Sequence, residues 1–102
     1  MIGYVTLGVA DLTRAAKFYD PIAAELGVGR MMEFDTFIAW GEQGGAPGVA
    51  ATLPFDGQPA TIGNGSMVAL QAKDADQVRR LYEIALANGG VDEGLPGLRP
   101  AN

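Results

Sequence analysis

The chain has 102 residues, of which 48% are hydrophobic and 19% charged, the size and composition of one folded domain. Its net charge of −5 argues against binding to nucleic acid or to an anionic membrane surface. The absence of cysteine and histidine excludes disulfides, thiolate or imidazole catalysis and the usual transition-metal ligands.

The first half of the chain begins without a signal-peptide pattern, and no apolar run approaches the ~20 residues of a membrane span. We therefore expect a cytoplasmic protein. Apolar alternation predicts a strand over 4–9, and Asp11 then caps a helix over 12–26 whose apolar residues recur at helical spacing. Pro21 should kink or interrupt that helix, because proline removes a hydrogen bond. Three more short strands are predicted over 31–34, 37–40 and 49–55.

The second half repeats the opening pattern. Residues 56–65 are rich in glycine, proline and asparagine and form a predicted connector. A strand follows over 67–72, and Asp74 caps a helix over 75–88. The tail over 92–102 carries two glycines and two prolines, which disfavour a strand there.

An internal repeat relates the two halves. When residues 4–28 are aligned with 67–91 without gaps, seven positions are identical, whereas random pairing would give roughly two. The identical pairs are Val5/Val68, Leu7/Leu70, Asp11/Asp74, Tyr19/Tyr82, Ala24/Ala87, Gly27/Gly90 and Val28/Val91. We therefore divide a single domain over 1–102 into a first βαβββ unit (1–55), the connector (56–65) and an incomplete second unit (66–102) that lacks its last two strands.

Several short motifs resemble the glyoxalase/bleomycin resistance protein/dioxygenase superfamily, also called the vicinal oxygen chelate (VOC) superfamily. They are the first strand and cap over 4–12, the helix segment over 15–19, the strand over 37–41, the connector over 54–60 and Gly63-Asn64-Gly65. The resemblance covers nearly the whole chain and implies an α+β fold. Tandem βαβββ units would form a curved mixed sheet with helices on its convex face. Because family members usually continue with two more strands, we expect a chain truncated at its C-terminus.

The resemblance also implies where metal ligands would lie. The family's first-strand ligand corresponds to Tyr4, and its counterpart in the second unit corresponds to Met67. Further ligands come from the last strand of each unit, but residues 49–53 contain no acid. A neutral phenol and a soft thioether suit Mg²⁺, Mn²⁺ or Zn²⁺ poorly. We therefore expect no metal, no other cofactor and no catalytic residue in this chain.

The concave face is the predicted ligand pocket. Its candidate residues are Tyr4, Thr6, Phe37, Trp40, Met67, Ala69 and Gln71. In the alternative interpretation these side chains merely fill a vestigial cup, and the aromatic residues belong to the core.

The opposite side of the strands should be buried against the helices. The core expected there consists of Val5, Leu7, Val9, Tyr19, Leu26, Val68, Leu70, Val78, Leu81, Tyr82 and Ala85.

Three functions remain open. The first is a metal-free small-molecule binding module of unknown ligand, so that this chain would not be an enzyme. The second is a lyase, isomerase or dioxygenase of the same superfamily whose metal ligands lie beyond residue 102. The third is a structural fragment without a ligand. As partners we expect a small molecule, no nucleic acid, no membrane, and a homodimer or strand-completing partner, because unpaired strand edges recruit partners.

Overall fold

The computed structural model describes residues 1–97, so part of the predicted tail, 98–102, lies outside the described residues. Four strands and two helices form an α+β fold. In chain order they are β1 (Tyr4–Gly8), α1 (Leu12–Glu25), β2 (Gly29–Phe34), β3 (Phe37–Gly41), β4 (Gly48–Thr52) and α2 (Ala75–Ala87).

The strands form one mixed sheet in the order β1-β4-β3-β2. β1 pairs with β4 in parallel, and the other two pairings are antiparallel. α1 packs on one face of the sheet, and α2 packs against α1. We call the face beneath α1 the helix side, and it carries Val5, Ile38, Trp40, Val49 and Ala51. The opposite face, which we call the open face, carries Tyr4, Thr6, Phe37, Ala39 and Ala50.

A β-bulge interrupts the outer strand β2. Arg30 pairs with Trp40, whereas Met32 pairs with the next residue of β3, Ala39, so that Met31 is the extra residue. The insertion places Arg30 and Glu33 on the same face although they are three positions apart, which in a regular strand would put them on opposite faces.

Both helices begin at the predicted aspartates. Asp11 accepts a hydrogen bond from the backbone nitrogen of Arg14 at 3.1 Å, and Asp74 accepts one from Gln77 at 2.8 Å. This shared capping geometry supports the internal repeat. The expected interruption of the first helix is wrong, because α1 runs unbroken through Pro21. Within residues 1–97, neither helix is long and apolar enough to cross a membrane.

The predicted strand over 67–72 is wrong. These residues have no strand conformation, and they belong to no sheet pairing among the described residues. A strand forms only where a neighbour accepts and donates its backbone hydrogen bonds. Alternation in the sequence therefore predicted a strand for which the described chain supplies no partner.

The expected core is wrong at three positions, Val5, Leu70 and Val78, which are 39%, 43% and 43% exposed. The reason is that β1 lies at an edge of the sheet and 67–72 does not extend it. The other eight residues are partly buried, and Val9 and Tyr19 among them pack against the buried core. The buried core lies between α1 and the central strands. Its members are Ala16, Ala23, Ile38, Trp40 and Ala51. Ile22 on α1 is also buried, as are Ala39 and Ala50 on the open face.

Candidate functional site

An aromatic cluster occupies the open face. The ring of Tyr4 meets the ring of Phe37 edge-on, with 5.9 Å between the centroids, and Phe34 lies 6.2 Å from Phe37. Tyr4 and Phe34 are 43% and 64% exposed, and Thr6 follows on the same face as Tyr4. Three of the predicted pocket residues, Tyr4, Thr6 and Phe37, are therefore brought together. Whether they bind a ligand stays a prediction.

Small residues form the floor and one end of the open face. Ala39 and Ala50 lie on this face, pair with each other and are completely buried. At the end of β1, a Cβ atom on Gly8 would lie 3.7 Å from the side chain of Ala60 and 4.0 Å from that of Pro54. The connector therefore passes close to the open face and bounds it at this end.

Trp40 does not lie on the open face, and its predicted placement there is wrong. Its side chain is 4% exposed and packs on the helix side, where its ring centroid lies 5.0 Å from that of Tyr19. Phe37 and Trp40 are three residues apart on one strand, so strand alternation requires them to point to opposite faces. Trp40 therefore belongs to the core, as the alternative interpretation held.

A polar network involving Asp20 and Arg30 holds the indole N–H of Trp40. Oδ1 of Asp20 accepts hydrogen bonds from Trp40 Nε1 at 2.7 Å and from Arg30 Nε at 3.1 Å, and Arg30 Nη2 lies 2.8 Å from Oδ2. Arg30 also contacts Glu33 at 3.0 Å. The hydrogen bonds from Arg30 hold the pKa of Asp20 below its ordinary value, with a smaller contribution from Trp40. Nothing in the local sequence joins Asp20 to Arg30, so only the fold reveals this network.

The other predicted pocket residues lie elsewhere. Ala69 and Gln71 line a cavity of about 390 Å³ on the helix side, together with Trp40. Met67 is 86% exposed and does not line that cavity. The predicted pocket is therefore divided between two faces, because 67–72 does not continue the sheet.

The residues present do not fit the metal that the family resemblance implies. Among residues 1–97, no three histidine, cysteine, aspartate or glutamate side chains lie close enough together to hold a metal ion. The two positions that correspond to family ligands carry the phenol of Tyr4 and the exposed thioether of Met67. β4 offers only the hydroxyl of Thr52 as a side-chain oxygen.

Comparisons with known proteins identify the family through structure. No protein-family model matches the chain, and neither does any curated protein. A solved structure of a glyoxalase/bleomycin resistance protein from Albidiferax ferrireducens T118 superimposes with a TM-score of 0.87 and 35% sequence identity. The match covers 97% of this chain and 81% of that protein. Identity at this level over nearly the whole chain confirms the resemblance of the motifs: this chain belongs to the glyoxalase/bleomycin resistance protein family.

Proposed function

We propose that the chain is a small-molecule binding module that works without a metal ion, and that the open face carries the ligand. The observation that supports this most directly is the aromatic cluster of Tyr4, Phe34 and Phe37, which lies on the face of the sheet opposite α1. Exposed aromatic side chains in contact with one another are unusual on a surface that has no partner.

The chemistry of this face suits a planar molecule with one or two polar groups. Aromatic rings supply large apolar contact area and stack edge-on or offset against other rings. The phenol of Tyr4 and the hydroxyl of Thr6 can each donate or accept one hydrogen bond to orient such a molecule. Most of the binding would come from apolar contact, and the two hydroxyl groups would provide selectivity.

The binding proposal is tested with 2-naphthol, which has a planar ring system and one hydroxyl group. Titration followed by amide chemical shifts should move the resonances of β1 and β3. Replacing Tyr4 or Phe37 by alanine should weaken binding by at least about tenfold. Phe55→Ala is the matched control, since Phe55 is 107% exposed and takes no part in the cluster. Equal affinity in all three variants would contradict the proposal.

The proposal that the chain works without a metal ion is tested separately. Protein dialysed against zinc or manganese chloride, and then against metal-free buffer, should retain far less than one ion per chain by elemental analysis. Retention near one ion per chain, lost in the variant Tyr4→Phe, would instead favour the metal-dependent enzymes of the superfamily.

As partner we propose a second copy of the chain, paired along the side of β1 that has no neighbouring strand in the described part of the chain. Val9 donates its N–H toward β4, so the alternation of a parallel strand points the backbone groups of Thr6 away from the sheet. Such outward groups are a template for another strand. Sedimentation velocity should show a monomer–dimer equilibrium, and Thr6→Pro should shift it to monomer because proline lacks the N–H. A monomer at every concentration, in the unchanged protein, would refute the pairing.

A further inference from the structure

The cavity on the helix side is a separate feature from the open face. It measures about 390 Å³ and lies between α1, the sheet, the loop over 42–47 and the segment over 68–71. Its volume falls within the range of about 300–1,000 Å³ that is usual for small-molecule sites. The sheet itself separates it from Tyr4 and Phe37, so a molecule bound here would not touch the aromatic cluster.

Two aromatic residues form the fixed wall of this cavity. The rings of Tyr19 and Trp40 lie 5.0 Å apart with a tilt of 34°, and both residues line the space. The indole N–H of Trp40 is already bonded to Asp20 at 2.7 Å, so a ligand need not satisfy it. The wall therefore presents apolar ring surface in a fixed orientation.

The charges around the cavity select against anions. Glu42 is the one lining side chain among the described residues that carries a formal charge at neutral pH, and the chain as a whole has a net charge of −5. Burial raises the pKa of Tyr19, which keeps its phenol neutral. Apart from Gln71 and the aromatic Trp40, the remaining lining side chains are aliphatic, and they offer few hydrogen bonds to a polar ligand.

We propose that this cavity is a second ligand site, which takes an uncharged, largely apolar molecule with a planar ring. The ring would lie against Trp40 and Tyr19, and the aliphatic side chains of Val5, Val49 and Leu70 would enclose its other sides. The site is independent of the function proposed for the open face.

The experiment uses N-phenyl-1-naphthylamine, an uncharged aromatic probe whose fluorescence rises in apolar surroundings. Trp40 is the only tryptophan, so energy transfer from it to the probe reports that the probe is bound to the chain. Titration should give saturable binding of one probe molecule per chain. Absence of saturable transfer, at protein concentrations where far-UV circular dichroism shows folded protein, would overturn the proposal.

Two neighbouring residues on β1 locate the probe. Val5 lines the cavity, whereas Thr6 points to the open face. Val5→Phe should fill the space and weaken binding of the probe by at least about tenfold. Thr6→Phe should leave the affinity for the probe within about twofold of that of the unchanged chain. The reverse result would place the probe on the open face and overturn the assignment. Ala46→Phe, in an exposed loop position that lines the same cavity, decides the question if Val5→Phe does not fold.

Discussion

The contact between Asp20 and Trp40 offers a sharp test of how α1 is held on the sheet. The change is Asp20→Ala. It removes the acceptor of the indole N–H at 2.7 Å and the partner of Arg30 at 2.8 Å. Trp40 is 4% exposed, so its indole N–H would lose its acceptor inside the core, and water could reach it only through the space left by the 43% exposed Asp20 side chain.

The expected cost comes from two unequal parts. An unsatisfied buried donor costs about 1–3 kcal/mol. The ion pair with Arg30 adds less than about 1 kcal/mol, since solvent screens a pair whose side chains are 32% and 43% exposed. We expect a loss of about 1–4 kcal/mol in the free energy of unfolding, most of it from the indole group.

Urea unfolding followed by far-UV circular dichroism measures this loss, and a double-mutant cycle with Trp40→Phe assigns it. In the Trp40→Phe background no indole N–H remains, so Asp20→Ala should cost less than about 1 kcal/mol. Asp76→Ala is the control, because its pair with Arg79 is exposed at 3.4 Å and should contribute below about 1 kcal/mol. An equal cost of Asp20→Ala in both backgrounds would refute the reasoning.

Three further predictions concern Asp20, Gln77 and Leu70. Because the pKa of Asp20 is lowered in the fold, its stabilisation is present above about pH 4 and is lost as the pH falls further. Asp20→Asn should therefore lose less stability on acidification than the unchanged chain. Gln77, 6% exposed, donates to the carbonyl of Glu25 at 3.0 Å, so Gln77→Leu should speed hydrogen exchange throughout α2. In urea melts, Leu70→Ala should cost below about 1.5 kcal/mol, against about 2–5 kcal/mol for the buried Ile38→Ala. Equal costs would mean that Leu70 is packed.

Local signals predicted most of the secondary structure. Asp11 and Asp74 each precede apolar residues at helical spacing, and both helices begin one residue later. The four strands of the sheet were each predicted within a few residues of their observed bounds. These features depend on neighbouring residues, which is why the sequence contains them.

The errors concern contacts between distant parts of the chain. The segment over 67–72 has the alternation of a strand but pairs with no strand within residues 1–97, and pairing is not a local property. Alternation alone could have corrected the placement of Trp40, since it stands an odd number of residues from Phe37. The contact of Arg30 with Asp20 depends on the bulge and on the docking of α1, and neither is visible in the sequence pattern.

The two edges of the sheet differ in a way that limits assembly. The outer edge at β2 is irregular, because the bulge at Met31 displaces its backbone and Arg30 brings charge to it. Both the bulge and the charged side chain discourage another strand from pairing with β2. The edge at β1 has neither, since its register with β4 is continuous from Tyr4 to Gly8. If the proposed pairing at β1 occurs, it uses the one regular edge of each sheet, so strand addition would end at a closed pair.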